Sequence, residues 1–165
     1  MKSFRKTSRG MGLVEVVIGA AIIAVFIAGI LTTFRQFFVV GLSNTARLQA
    51  AYFAEEGIEV TRAIRDSGWT AFSNLSTSTD YYLGTVGGVW VATTTATTTL
   101  PNFTRTVRLG SVYRQSSSND IVPATSTLSK YLDADARSVT VSVSWVGSGK
   151  ATTSVQLSTY LTKVF

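Results

Sequence analysis

The sequence predicts an α+β protein: a long N-terminal helix laid on an antiparallel β-sheet, with the first half of the helix protruding. Three observations predict it. Residues 16–34 carry no charge at all, residues 42–64 repeat apolar side chains at steps of three and four, and from Ser67 the chain changes to Ser, Thr, Gly, Val and aromatics with a period near two. At 165 residues there is room for one ordinary domain beyond the N-terminal segment.

The first ten residues, MKSFRKTSRG, hold Lys2, Arg5, Lys6 and Arg9 and no acid, which places them on the cytoplasmic side of a membrane by the positive-inside rule. Val16 to Phe34 follow, long enough as a helix to cover roughly 28 Å and cross a bilayer core once. The run ends in LTTFRQFF without a small-x-small site, so cleavage by ordinary signal peptidase is not expected. One carboxylate, Glu15, stands at its start with no basic residue inside the run. A charge at such depth costs on the order of 3 kcal/mol, so Glu15 calls for a role.

The helical pattern continues beyond the span. Leu42, Ala46, Ala50, Phe53, Gly57, Val60 and Ile64 fall within about 80° of one face, and Arg47, Glu55, Glu59, Arg62, Arg65 and Asp66 fall opposite. Glu59 with Arg62, and Arg62 with Asp66, have the spacings at which side chains meet. Leu48, Tyr52 and Ile58 lie on the charged side, open to neighbouring molecules. One helix of about 80 Å is expected from about Gly10 to Asp66.

Ser67-Gly68 ends it, and strands are expected at Val86–Thr94, Phe103–Tyr113, Arg137–Val146 and Ala151–Thr162. The last two form a hairpin. Val139, Val141, Val143 and Trp145 alternate with Thr140, Ser142 and Ser144, GSGK turns the chain, and Val155, Leu157, Thr159 and Leu161 share the returning face. Val141, Val143 and Trp145 should pack on Phe53, Val60 and Ile64. ATTTATTTLPN reads as a low-complexity turn, and QSSSNDIVPATSTLSKYLDADA as a long loop. The expected divisions are 1–10, a leader; 11–34, an apolar helix; 35–66, its amphipathic continuation; and 67–165, a β-rich domain.

Composition excludes more than it assigns. The net charge of +6 owes four of its fifteen basic residues to the leader, and the eleven others, against nine acids, are scattered, so nucleic acid is not an expected partner. There is no Cys and no His, hence no disulfide, no thiolate site and neither the commonest general base nor the commonest transition-metal ligand. No catalytic residue, cofactor or metal is expected. GSGK at 147–150 resembles the end of a phosphate-binding loop, but Ser144 replaces its first glycine, Ala151 its hydroxyl residue, and it joins two strands. Asp133 and Asp135 are too few oxygens for a hard cation, and read as a solvated loop. Arg105, Arg108 and Arg114 do not share one strand face, and read as charges guarding an exposed edge strand. Asn74-Leu75-Ser76 and Asn102-Phe103-Thr104 fit the short glycosylation pattern.

At RGMGLVEVVIGAAIIAVFIAGI the chain resembles the type IV prepilins and the pseudopilins of type II secretion: a basic leader ending in Gly, then a hydrophobic residue, then Glu at the fifth mature position inside an apolar helix. Gly10, Met11 and Glu15 occupy those places. AYFAEEGIEVTRAIRD and the VTVSVSW strand are similar to minor pilins. Met11 stands where Phe is usual, Gly12 where Thr is frequent, no Pro interrupts the apolar half, where Gly29 is the nearest weak point, and the C-terminal disulfide loop of many major pilins is absent. These departures favour a minor pilin or pseudopilin.

The resemblance implies a pilin-like fold and a structural role. Prepilin peptidase would cleave between Gly10 and Met11 and methylate the new amine at Met11, and Glu15 would take part in assembly. Other pilin or pseudopilin subunits and a pilus assembly platform are the implied partners, with membrane lipid before assembly. The chain would be a single-pass cytoplasmic membrane protein first, and afterwards part of a cell-surface filament or periplasmic pseudopilus. Two other readings use the same features: a signal-anchored protein displaying a β-rich binding or adhesin domain, which leaves Glu15 unexplained, and a competence pilin that binds DNA.

Overall fold

The computed structural model describes residues 12–96, 100–147 and 151–164. Helix α1 spans Leu13–Ser67 and a short α2 spans Trp69–Ser73. Strands β1 Asp80–Val86, β2 Val89–Thr93, β3 Phe103–Gln115, β4 Ile121–Val122, β5 Lys130–Val146 and β6 Thr152–Thr162 follow. The architecture is α+β, as the sequence predicts. The chain divides between Leu42 and Ser43 into two units.

In the first unit α1 runs on without a break through Gly29, where Thr33 Oγ1 donates to the glycine carbonyl at 3.0 Å, and Thr32 Oγ1 donates to Ala28 O at 2.7 Å. The large apolar side chains of this stretch, Leu13 to Leu42, are exposed, from 50% at Val39 to 81% at Leu13. It is long and apolar enough to cross a membrane.

The second unit, residues 43–165, holds every buried hydrophobic side chain among the described residues, and so carries a complete core of its own. Its sheet is antiparallel in the order β2-β1-β3-β5-β6, with β4 paired to β3. The expected hairpin forms, with Val139 opposite Thr159, Val141 opposite Leu157 and Val143 opposite Val155. Val139, Val141, Val143 and Trp145 are buried, while Thr140, Ser142 and Ser144 on the alternate face are half-buried. The helix residues Phe53, Val60 and Ile64 join the same cluster, Val60 buried and the other two half-buried. Phe53 meets Phe103 edge-on at 5.2 Å, and Phe103 leans on Trp145 at 5.8 Å.

Several expectations are corrected. The expected strand Val86–Thr94 is the second half of a hairpin: Gly87 and Gly88 have φ of +60° and +83°, the left-handed pair that a two-residue hairpin turn needs, and β1 precedes them. The expected long loop contains β4 and the first seven residues of β5, whose pairing with β3 shifts register between Ser111 and Val112. The buried face of the helix is rotated from the expected stripe: Ala50, Ala54, Gly57, Ile58, Val60 and Thr61 are buried, while Leu42 is exposed. Ile58, expected on the charged side, is 5% exposed, in a cluster with Phe72 of α2 and Tyr81 and Leu83 of β1, the elements that widen the cover of the helix. Leu48 and Tyr52 are exposed, as expected.

Candidate functional site

The candidate assembly surface is the N-terminal stretch of α1. Leu13, Val14, Val16, Val17 and Ile18 of its first turns are all more than half exposed. Such a continuous apolar surface needs lipid or other helices around it. Glu15 lies in the first turn, exposed, with its own N–H donated to Gly12 O at 2.9 Å. Gly10 and Met11, the expected processing site, lie outside the described residues.

The three arginines of β3 part company. Arg105 faces the helix, 7% exposed, opposite Val143 in the sheet. Its Nη1 donates to Phe53 O at 3.1 Å and lies 3.1 Å from Glu56 Oε2. A guanidinium can be buried there because a carboxylate and a carbonyl replace its water. Arg108, on the opposite face, pairs with Asp80 at 2.8 Å, a hydrogen bond that raises its pKa. Arg114 pairs with Asp133 at 2.6 Å and donates to Asn119 O at 2.9 Å. Its pKa is raised too, by the bond to Asp133. The expectation that these residues guard an edge is overturned, since β3 lies in the middle of the sheet and has strands on both sides. All three serve as ties within the unit.

The remaining motifs likewise resolve into structure. Asp133, besides meeting Arg114, accepts the N–H of Asp135 at 3.0 Å. Among the described residues no group of three or more His, Cys, Asp or Glu side chains is placed to hold a metal ion. Gly147 N–H donates to Ala151 O at 2.9 Å and closes the β5–β6 hairpin as expected, while Ser148, Gly149 and Lys150 lie outside the described residues. Glu59 and Arg62 pair at 2.6 Å as expected, but Asp66 is held by Arg65 at 2.8 Å in place of Arg62. Asn74 and Asn102 are both exposed. A cleft of about 410 Å³ opens at Arg65, Asp66, Gly68, Trp69 and Val164, with Arg65 already tied to Asp66 and, at 3.5 Å, to Thr162 O.

No family model, curated protein or solved structure matches the chain.

Proposed function

We propose that the chain is a structural subunit, a minor pilin or pseudopilin, of a type IV pilus or type II secretion-like filament. The observation that carries this reading is Glu15: a single carboxylate in the first turn of a helix that is otherwise apolar and uncharged through Phe34, with its large side chains exposed along that length. A simple anchor gains nothing from it.

In this reading prepilin peptidase cleaves between Gly10 and Met11 on the cytoplasmic side and methylates the Met11 amine, which stays cationic as a secondary amine. Glu15 lies four residues on, about 6 Å along a helix. It accepts the amine of an adjacent subunit displaced by roughly one turn and so sets the axial register as the apolar helices bundle. Surrounded by hydrocarbon, that pair is strong in register and its mismatch expensive. Before assembly the span rests in the cytoplasmic membrane with its N-terminus inside. Afterwards the β domains cover the filament at the cell surface or in the periplasm.

The test is processing. Co-expression with a prepilin peptidase should yield mature protein beginning at methylated Met11 by mass spectrometry, and Gly10→Val should leave the precursor uncut. A mature chain starting elsewhere, or no cleavage of the wild type, overturns the reading in favour of a signal-anchored binding domain.

A further inference from the structure

The sheet ends on β6, and β6 is an unusual edge. Natural edge strands are blunted by charge, proline, bulges or shortness, because their unpaired N–H and C=O groups template further pairing. Thr152–Thr162 has eleven residues and none of these devices: TTSVQLSTYLT contains no acid, base, Pro or Gly. It pairs with β5 in unbroken register from Val146↔Thr152 to Ala136↔Thr162, and only Leu161 along it is buried. The other end of the sheet is β2, five residues long. The sheet's bulge lies between β3 and β5, Arg105, Arg108 and Arg114 lie on β3 and Arg137 on β5, all in the interior where they protect no edge.

The direction of the free groups follows from the ladder. Lys163 N–H donates to Asp135 O, and Gly147 N–H to Ala151 O, each at 2.9 Å. Since residues alternate the side to which both backbone groups point, odd-numbered residues of β6 bond to β5. Thr152, Ser154, Gln156, Ser158, Tyr160 and Thr162 therefore turn their N–H and C=O away from the sheet. Among the described residues the group that meets them is Arg65, which reaches Thr162 O at the strand's end.

We propose that this edge pairs with the same edge of a second copy, antiparallel about a dyad at Leu157, continuing the sheet from one molecule into the other. A strand without charge meets no like charge when it faces itself, so self-pairing carries no electrostatic penalty. With the dyad at Leu157, Thr152 faces Thr162, Ser154 faces Tyr160 and Gln156 faces Ser158 of the second copy, and these residues are the ones whose backbone groups are free. About twelve backbone hydrogen bonds result. On the core side Leu157, 39% exposed in the single chain, meets its own symmetry mate and gains the apolar cover it lacks. The dyad reverses the 43–67 helix of one copy relative to the other. The contact therefore joins two copies of residues 43–165 whose helices run in opposite directions, and does not rest on the filament reading.

Absence of cysteine from the sequence makes the test clean. Residues 43–165, which hold the whole core, are made with a single cysteine at Val155, Leu157 or Thr159, and dimerisation is followed by sedimentation and by disulfide formation under mild oxidation. Facing Cα atoms in a non-hydrogen-bonded antiparallel pair lie about 4.5 Å apart, within disulfide reach. The expected result is a dimer that Leu157→Cys locks and the other two do not. Gln156→Lys with Ser158→Lys, both away from the buried core, should weaken the dimer about tenfold or more while leaving the melting temperature of the monomer unchanged. A fragment that stays monomeric at millimolar concentration overturns the proposal, as do cysteines that cross-link alike at all three positions. A monomer that instead captures an added extended peptide of another sequence overturns it as well.

Discussion

Gly57 is where α1 presses closely on β5, and its replacement tests the helix–sheet packing directly. A Cβ added there would stand 2.8 Å from Val141 Cγ1 and 3.1 Å from Arg105 Cδ. The arginine stem is flexible and can yield. Val141 cannot do so cheaply, being β-branched and fully buried. In an open helix Gly→Ala stabilises by about 1 kcal/mol, whereas one methyl too many in a packed core costs about 1–3 kcal/mol. The second effect wins by about 1 kcal/mol, so Gly57→Ala should destabilise residues 43–165 by that amount in urea titration. Val141→Ala alone should cost about 2 kcal/mol, from two buried methyl groups and the space they leave. In the double variant the methyl introduced at position 57 occupies part of that space, and the loss should fall short of the sum by about 1 kcal/mol or more. If Gly57→Ala gains stability as an exposed helix position would, or if the two changes simply add, the close approach of Gly57 to Val141 is not what holds helix and sheet together.

Trp145→Ala should cost about 3–5 kcal/mol, because the ring closes the Phe53–Phe103–Trp145 row, and a thermal melt of the 43–165 fragment indistinguishable from wild type would refute that packing. Arg105→Ala should cost about 2 kcal/mol, chiefly from the lost packing of its stem, since the Glu56 left behind is 47% exposed; Arg105→Met, which keeps the stem, should recover most of it in the same denaturation assay. Glu15→Leu should insert in membranes and be processed as wild type, yet be missing from sheared filaments; its recovery there at wild-type levels would remove Glu15 from assembly.

What is legible in the sequence is what repeats. The alternation from Val139 to Trp145 and its return through Leu161 specify the hairpin, because one face has to be apolar for the core and the other tolerates Ser and Thr. Residues 130–135 are not legible as strand because no position among them is buried on either face; 130–133 pair with β3 through the backbone and through Arg114–Asp133, and neither leaves a period. β1 is hard to see because its turn is only Gly87-Gly88, although Tyr81 and Leu83 already alternate before it. Ile58 is misplaced by a helical wheel that assumes one flat partner, where β1 and α2 add a flank. Arg105 contradicts its strand's apolar pattern, and only the carbonyl of Phe53 and the carboxylate of Glu56, about fifty residues away, explain how a charge faces inward. Of the candidate site, Glu15 is legible from its isolation, whereas the places of Gly10 and Met11 rest on the motif alone.

Within residues 43–165 α1 supplies a wall of the core, so a load applied along that part of the helix is taken up by side chains packed on the sheet. The load enters through the residues from Ala50 to Thr61, about 17 Å of helix, where side chains interlock with the sheet and Arg105 bridges to Phe53 and Glu56. Several turns share the shear, so yielding requires them to slip together. The close seat of Gly57 under Val141 acts as a mechanical detent: sliding the helix axially would drive a bulkier neighbour of Gly57 against a side chain that has no room to turn.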